Sequence, residues 1–419
     1  MNQLHQLRGR CRKKAGQTLA FFAIMLLALL LVVGLCVDAG TFYLTKAALD
    51  KAVDAASLTI VRNLFQGQTQ ASAVGQAAFT ANYHGGGYST NAPVLNITYA
   101  SDSNNNTTVS ILATATVTPY FMRLIPRFQT FQVSSGATAT RAKLIMSLVL
   151  DCSGSMSGSM STLKSSANTF VGYFDDTMDH VSLISFSSTT NLNVSMRQPF
   201  KSTVTTAVNS LSANGGTFTD GGLKLALQQN STVTNSPTDN VIRVVVLFTD
   251  GYANTFQYLW TNAAHQVEIY NAGGYDPPTT TYAIFDPGNG NQITPPHNSS
   301  SFTGPIPSNG APYDMPVTKF RSVNGTNTNI NGANMTAEGS MRALSTANTI
   351  RNTTNTYVFC IGLGSNLDPD FLASAANDPT ASTFNPNQPV GDYIIANTAS
   401  DLQMAFLEIA AKILLRLTK

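Results

Sequence analysis

The chain has 419 residues, 43% of them hydrophobic and only 11% charged, with a formal net charge of +2. That length exceeds one ordinary core and implies two domains plus an attachment segment. The charged fraction falls well under the ~25% of typical soluble proteins, and Asn, Ser, Thr and Gly fill the gap, which suits a cell-exterior surface and leaves no basic excess for nucleic-acid phosphates.

The first element is apolar. Thr18 to Val37 contains 20 consecutive residues without a charge, about 30 Å as a helix and so the thickness of a bilayer core. Residues 1–17 form a basic head with Arg8, Arg10, Arg12, Lys13 and Lys14, and the positive-inside bias assigns that head to the cytoplasm and everything after Asp38 to the exterior. The competing reading is a cleaved signal peptide, with Val37 and Ala39 as the small-residue site, but the stretch exceeds a signal h-region and retention is expected. A lipoprotein box is excluded because Leu35 precedes Cys36.

No Gly or Pro interrupts Thr41 to Gln66, so the helix is expected to run out of the bilayer until Gly67 stops it. Its alanines at 48, 52, 55 and 56 allow close helix packing, or reflect helix propensity alone. A shorter helix is predicted at Ala71 to Tyr83. Period-two alternation then marks strands at 94–101 and 107–117, a hairpin turned by "DSNNN", and a third strand follows at 131–142. Residues 38–143 therefore read as an extended helix with a small antiparallel β region.

From Leu144 the pattern becomes strand, helix, strand. "LIMSLVL" is continuously apolar, as in a strand covered on both faces, and further strands are predicted at 181–187, 241–249 and 356–364. Leu163, Ala167, Phe170, Val171 and Phe174 fall at helical spacing, and the C-terminal run carries an N-cap at Ser400 or Asp401. The fold class is α/β, a doubly wound Rossmann-like sheet over 144–419, with a Gly-, Asn- and Pro-rich surface insertion at about 252–335.

In such a sheet ligands gather at the carboxyl ends of the strands. Asp151 ends the first strand of this domain and opens Asp151-x-Ser153-x-Ser155; "FTDG" sets Asp250 at the same edge; "GGTFTDGGL" carries Thr217 and Thr219 into a helix. Carboxylate and hydroxyl oxygens are hard ligands for a divalent cation, with Mg2+ the first choice and Ca2+ or Mn2+ the alternatives. A set with few anions leaves the ion able to accept a carboxylate from another molecule. Taken singly, the aspartate could cap a helix, the serines could be turn residues and Thr217 an N-cap.

Enzymatic readings find less support. A haloacid-dehalogenase-type phosphatase wants a second carboxylate where Ser153 stands, and a serine cannot serve as its acid and base. No Gly-x-Ser-x-Gly occurs, and His5, His84, His180, His265 and His297 lie in unpatterned contexts. Zinc lacks paired Cys/His spacing. The four cysteines, Cys11, Cys36, Cys152 and Cys360, form no disulfide framework and are expected to stay reduced.

With its three parts in order, the domain resembles von Willebrand factor type A domains and their metal-ion-dependent adhesion site. The resemblance implies Asp151, Ser153 and Ser155 as direct or near-direct ligands, a hydroxyl from Thr217 with Thr219 as fallback, and Asp250 binding directly or through water. The N-terminal "GQTLAFF", "VDAG" exit and alanine-rich helix, together with the terminal "AFLEIAAKILLRLTK", resemble TadG-like proteins of bacterial tight-adherence (Flp) pilus systems. Phe21 departs from the pilin-like relatives, which carry glutamate there, so the likeness does not extend to cleavage after Gly16. The expectation is a non-enzymatic, single-pass bacterial envelope protein that binds a divalent cation and, through it, an acidic side chain on a protein partner in pilus assembly or adhesion. A structural pilus or secretion-system component, in which the metal only stabilises the fold, is the alternative.

Overall fold

The computed structural model describes residues 3–84, 92–101, 107–234, 240–259, 267–273, 281–285, 320–321, 327–328 and 332–417. The chain separates into two compact units, Met1–Asp102 with Thr107–Thr140, and a second built from Arg141–Lys419.

In the first unit α1 (Gln3–Arg62) runs unbroken through the apolar stretch, and a 3₁₀ turn at Leu64–Gln66 and Gly67 separate it from α2 (Gln68–Asn82). From Thr18 onward α1 is long and apolar enough to cross a membrane, and its large side chains from Leu19 to Val37 are exposed. Beyond that stretch its character changes. Leu49, Ala52, Val53, Ala56 and Ile60, spaced three and four apart, bury one face of α1 against Ala71 and Phe79 of α2 and against the sheet. That sheet is antiparallel in the order β1 (Val94–Ser101), β2 (Thr107–Val117), β3 (Phe131–Arg141). Val109, Ile111, Ala113 and Ala115 point alternately inward from β2, which is why their period-two pattern was visible in the sequence.

The second unit is a six-stranded sheet in the order β14-β13-β7-β4-β5-β6. Its strands are β4 (Lys143–Asp151), β5 (His180–Phe186), β6 (Thr190–Arg197), β7 (Val241–Thr249), β13 (Tyr357–Leu363) and β14 (Asp392–Ala396). All neighbours pair parallel except β5 with β6, which closes the edge antiparallel. Helices α3 (Met160–Gly172), α4 (Lys201–Ser210) and α8 (Leu402–Arg416) cover one face, where Phe406 meets Phe170 and Phe248 with ring centroids 5.4 and 6.0 Å apart. Helices α5 (Thr219–Thr232), α6 (Gly332–Thr354) and α7 (Pro369–Ala376) cover the other. This is the doubly wound α/β arrangement expected from the sequence.

A buried ion pair lies beneath these layers. Arg141, 1% exposed, donates to both Asp179 oxygens at 2.8 and 2.7 Å, and Asp179 also accepts the backbone N–H groups of Leu144 and Asp175. Ala142 N–H bonds the Leu417 carbonyl at 2.8 Å, tying the start of the central strand to the end of α8.

Several local expectations need correction. The surface insertion from 252 is not superficial at its start: Ala253, Thr255 and Phe256 are buried, because the chain turns back into the core immediately after β7. Within it β8 (Thr255–Leu259), β9 (Val267–Gly273) and β10 (Thr281–Phe285) make a small antiparallel sheet, and β11 (Phe320–Arg321) pairs with β12 (Asn327–Thr328). Most of 260–331 lies outside the described residues. Asp401 is the N-cap residue of α8, as expected, but its side chain makes no cap bond there; it forms instead a capping box with the Thr398 hydroxyl that starts a 3₁₀ turn at Ala399–Asp401 leading into α8. Cys36, Cys152 and Cys360 are free thiols, while the side chain of Cys11 lies outside the described residues.

Candidate metal centre

Strand β4 is buried on both faces and ends at Asp151, whose Oδ1 accepts the Ser153 N–H at 2.8 Å. That two-residue reach is an Asx turn, and it bends the chain into a 3₁₀ turn over Gly154–Gly158. The bend gathers the two serines: Ser153 Oγ and Ser155 Oγ lie 3.0 Å apart.

The neighbouring strand β7 ends beside them. Thr249 Oγ1 donates to Asp151 Oδ2 at 2.6 Å, and the next residue, Asp250, accepts from Ser155 Oγ at 2.7 Å with Ser153 Oγ 3.4 Å away. Asp151, Ser153, Ser155 and Asp250 thus form one hydrogen-bonded cluster, as their positions in the sequence implied.

Thr217 stands differently. Its loop is stitched to the serine loop through Gly154 N–H on the Gly215 carbonyl at 2.9 Å, and its own N–H donates to Asn254 Oδ1 at 2.8 Å. The Thr217 side chain is buried, but none of the described hydrogen bonds joins its hydroxyl to the acidic cluster. Thr219, the fallback, opens α5, and its hydroxyl is buried without a hydrogen-bond partner. Two residues that sequence reasoning missed hold this loop. Asn254 grips Thr217, and Ser188 Oγ accepts the Gly216 N–H at 2.8 Å. Gly215 has φ +75°, and a Cβ there would lie 2.5 Å from Ser188 Oγ, so the loop requires glycine. No periodicity marks either partner; only the run "FSS" at the end of β5 signals that a turn begins there.

Electrostatically the cluster lacks positive charge. Asp151 is fully buried, and burial, with the adjacent Asp250 charge adding to it, pushes its carboxyl up to about 7. Burial raises Asp250 as well. Neither carboxylate has an ion pair among the described residues. Two desolvated carboxylates with only hydroxyl and amide partners are a costly arrangement unless a cation neutralises them. All the donors are hard oxygens, and no group of three or more His, Cys, Asp or Glu side chains forms among the described residues. The residues therefore fit a hard divalent ion, with Asp151, Ser153, Ser155 and Asp250 to hold it and Thr217 or Thr219 within the adjoining loop. The neighbouring Cys152 thiol is pushed up to about 12, first by burial and then by the Asp151 charge, so it stays protonated.

The family model for the von Willebrand factor type A domain matches residues 146–277, and the Flp pilus-assembly TadE/G-like model matches residues 16–59. No curated protein matches. Among solved structures, the vWF domain of the type V pili tip protein Mfa5 from Porphyromonas gingivalis is 17% identical, covering 66% of this chain and 97% of that one at a TM-score of 0.42. PilB minor pilin from Streptococcus sanguinis is 15% identical, covering 78% and 79% at a TM-score of 0.42. Proximal thread matrix protein 1 from the mussel byssus, with a zinc-occupied MIDAS motif, is 12% identical over 65% and 46% at a TM-score of 0.35. Likenesses this low carry no functional argument. The two family models thus fall on the apolar helix, where residues 16–59 are similar to the TadE/G-like family, and on the sheet that bears the acidic cluster, where residues 146–277 match the von Willebrand factor type A domain.

Proposed function

We propose that this is a membrane-anchored extracytoplasmic protein whose von Willebrand A domain binds a divalent cation, Mg2+ by preference, and through it an acidic side chain on a protein partner in Tad (Flp) pilus assembly or adhesion. The observation that carries the reading is the pair of carboxylates, fully buried Asp151 and half-buried Asp250, set among serine hydroxyls with no cationic partner among the described residues. Asp151 is the fixed ligand, oriented by the Ser153 N–H and the Thr249 hydroxyl. Ser153 and Ser155 offer neutral oxygens, and Asp250 completes the set from the next strand. When bound, the cation supplies residual positive charge for a visiting carboxylate. The apolar helix with its basic head supports an anchor whose N-terminus is cytoplasmic.

The same donor set supports binding over catalysis, since Ser153 takes the place where a phosphatase needs its second carboxylate. Calorimetric titration of the detergent-solubilised full chain with Mg2+, Ca2+ and Mn2+ tests the reading. Saturable binding by wild type and none by Asp151→Ala is the expected result. Failure of every cation to bind would sink it, as would hydrolysis of phosphate or peptide bonds by the purified protein with Mg2+ present. Unchanged adhesion by the Ala variant with a lowered melting temperature would point instead to a structural component.

A further inference from the structure

Strands β2 and β3 of the first unit are joined by residues 118–130, which carry Tyr120, Phe121, Leu124 and Ile125 at 49, 47, 79 and 51% exposure. Single exposed apolar residues are ordinary, but four within six positions form a patch. The patch is held rigidly against α1. Asp38, fully buried, accepts the backbone N–H groups of Tyr120, Phe121 and Met122 at 2.6, 3.1 and 2.7 Å. The Phe121 ring sits on Gly34, where a Cβ would come within 2.8 Å of it. At the far end of the loop, Phe128 stacks on Phe131, which packs on Phe42 of α1 at 5.1 Å.

These anchor points fix the patch along the helix. Asp38 is the first charged residue after the apolar stretch, and Gly34 lies one turn inside it, about 6 Å deeper at ~1.5 Å per residue. Phe121 therefore overlaps the end of the stretch that is long and apolar enough to span a membrane, and Leu124 and Ile125 continue from it. Arg123 and Arg127 flank them, both exposed and without an ion pair among the described residues. Aromatic and aliphatic side chains with arginines between them match the boundary where acyl chains meet phosphate headgroups.

We propose that the 118–130 loop is a second membrane contact: Tyr120, Phe121, Leu124 and Ile125 enter the interface of the bilayer that α1 crosses, and Arg123 and Arg127 bind headgroup phosphates. This rests on the reading of α1 as a membrane span. The loop adds a second foothold beside α1, so that the first unit stands at a fixed depth.

The full chain carrying L124W in a W260F background, which removes the one native tryptophan, is reconstituted in phosphatidylcholine vesicles with and without phosphatidylglycerol. The expected result is loss of most tryptophan emission to lipids brominated high on the acyl chain, with a blue-shifted maximum. R123Q/R127Q should weaken that quenching in the vesicles containing phosphatidylglycerol, and quenching unaffected by the double change would overturn the headgroup contact. I125W serves as the second probe should L124W fold poorly. Unquenched, red-shifted emission from a chain that resists alkaline extraction overturns the proposal while sparing the span, and leaves the patch to a protein. Release of the chain by alkaline wash overturns the span and the proposal together.

Discussion

Asp151→Asn is the most informative substitution, because it removes a charge and keeps a shape. Asparagine can still accept the Ser153 N–H through its oxygen. Its amide can donate to Thr249 Oγ1, whose own proton has the Gly251 carbonyl 3.2 Å away as an alternative acceptor. What changes is ionisation. In the metal-free fold the Asp151 carboxyl is raised from 3.8 to about 7 by burial and by Asp250. A group raised on folding contributes its stability below the unfolded value and loses it as pH climbs through the folded one. Wild type without metal should therefore weaken between about pH 4 and pH 7, by at most about 4 kcal/mol at ~1.4 kcal/mol per unit. In chelator at pH 8 the asparagine variant should then be the more stable protein, by several degrees at roughly 2–4 °C per kcal/mol for a domain of this size. Adding Mg2+ should stabilise wild type and leave the variant unmoved. Thermal unfolding of the full chain in detergent at pH 5 and pH 8, with chelator or with Mg2+, reads all of these. A variant less stable than wild type in chelator at pH 8 would refute the reasoning, since it would mean that native contacts already compensate the carboxylate.

Replacing Arg141 by Met should cost about 3–5 kcal/mol, because Asp179 is left charged and buried; a second change, D179L, should not restore stability, since Leu144 and Asp175 N–H groups then lose their acceptor. Denaturant unfolding checks both. G215A should abolish the cation-induced rise in melting temperature while lowering the metal-free midpoint much less, because the strain falls on the loop that holds Thr217. F406A, which removes a ring packed on Phe170 and Phe248, should cost about 3–5 kcal/mol. D368A removes the carboxylate that caps the Phe371 N–H at the start of α7 and should cost ~1 kcal/mol.

The residues that sequence reading located well are those whose burial is patterned. Between Lys143 and Asp151 β4 is apolar at every position but Ser147 because helices cover both its faces, and β2 alternates because only one face of its sheet is covered. The acidic cluster was legible for a related reason: each member sits where an apolar run stops. What escaped detection lacks such contrast. In β6 only Val194 is buried, so this edge strand reads as a polar loop, and β14 is short and half-buried for most of its length. Helix α6 offers mostly small or polar residues, with Ala343, Ala347 and Ile350 as its inward face. Asn254 and Ser188 act through hydrogen bonds to backbone distant in sequence, and a local window contains no trace of such a partner.

The central strand has a mechanical consequence. β4 begins beside Ala142, clamped to the end of α8, and finishes at Asp151, with β5 and β7 paired along both sides. If a partner hangs on the acidic end while the membrane holds the other, tension enters at the start of β4 and leaves through Asp250 at the end of the neighbouring β7. The ladder joining the two strands is then loaded in shear and its bonds must fail together, where a hairpin would unzip rung by rung. Stretching the domain between those two points should meet a high, abrupt rupture force, and a gradual low-force extension would show that the load takes another path.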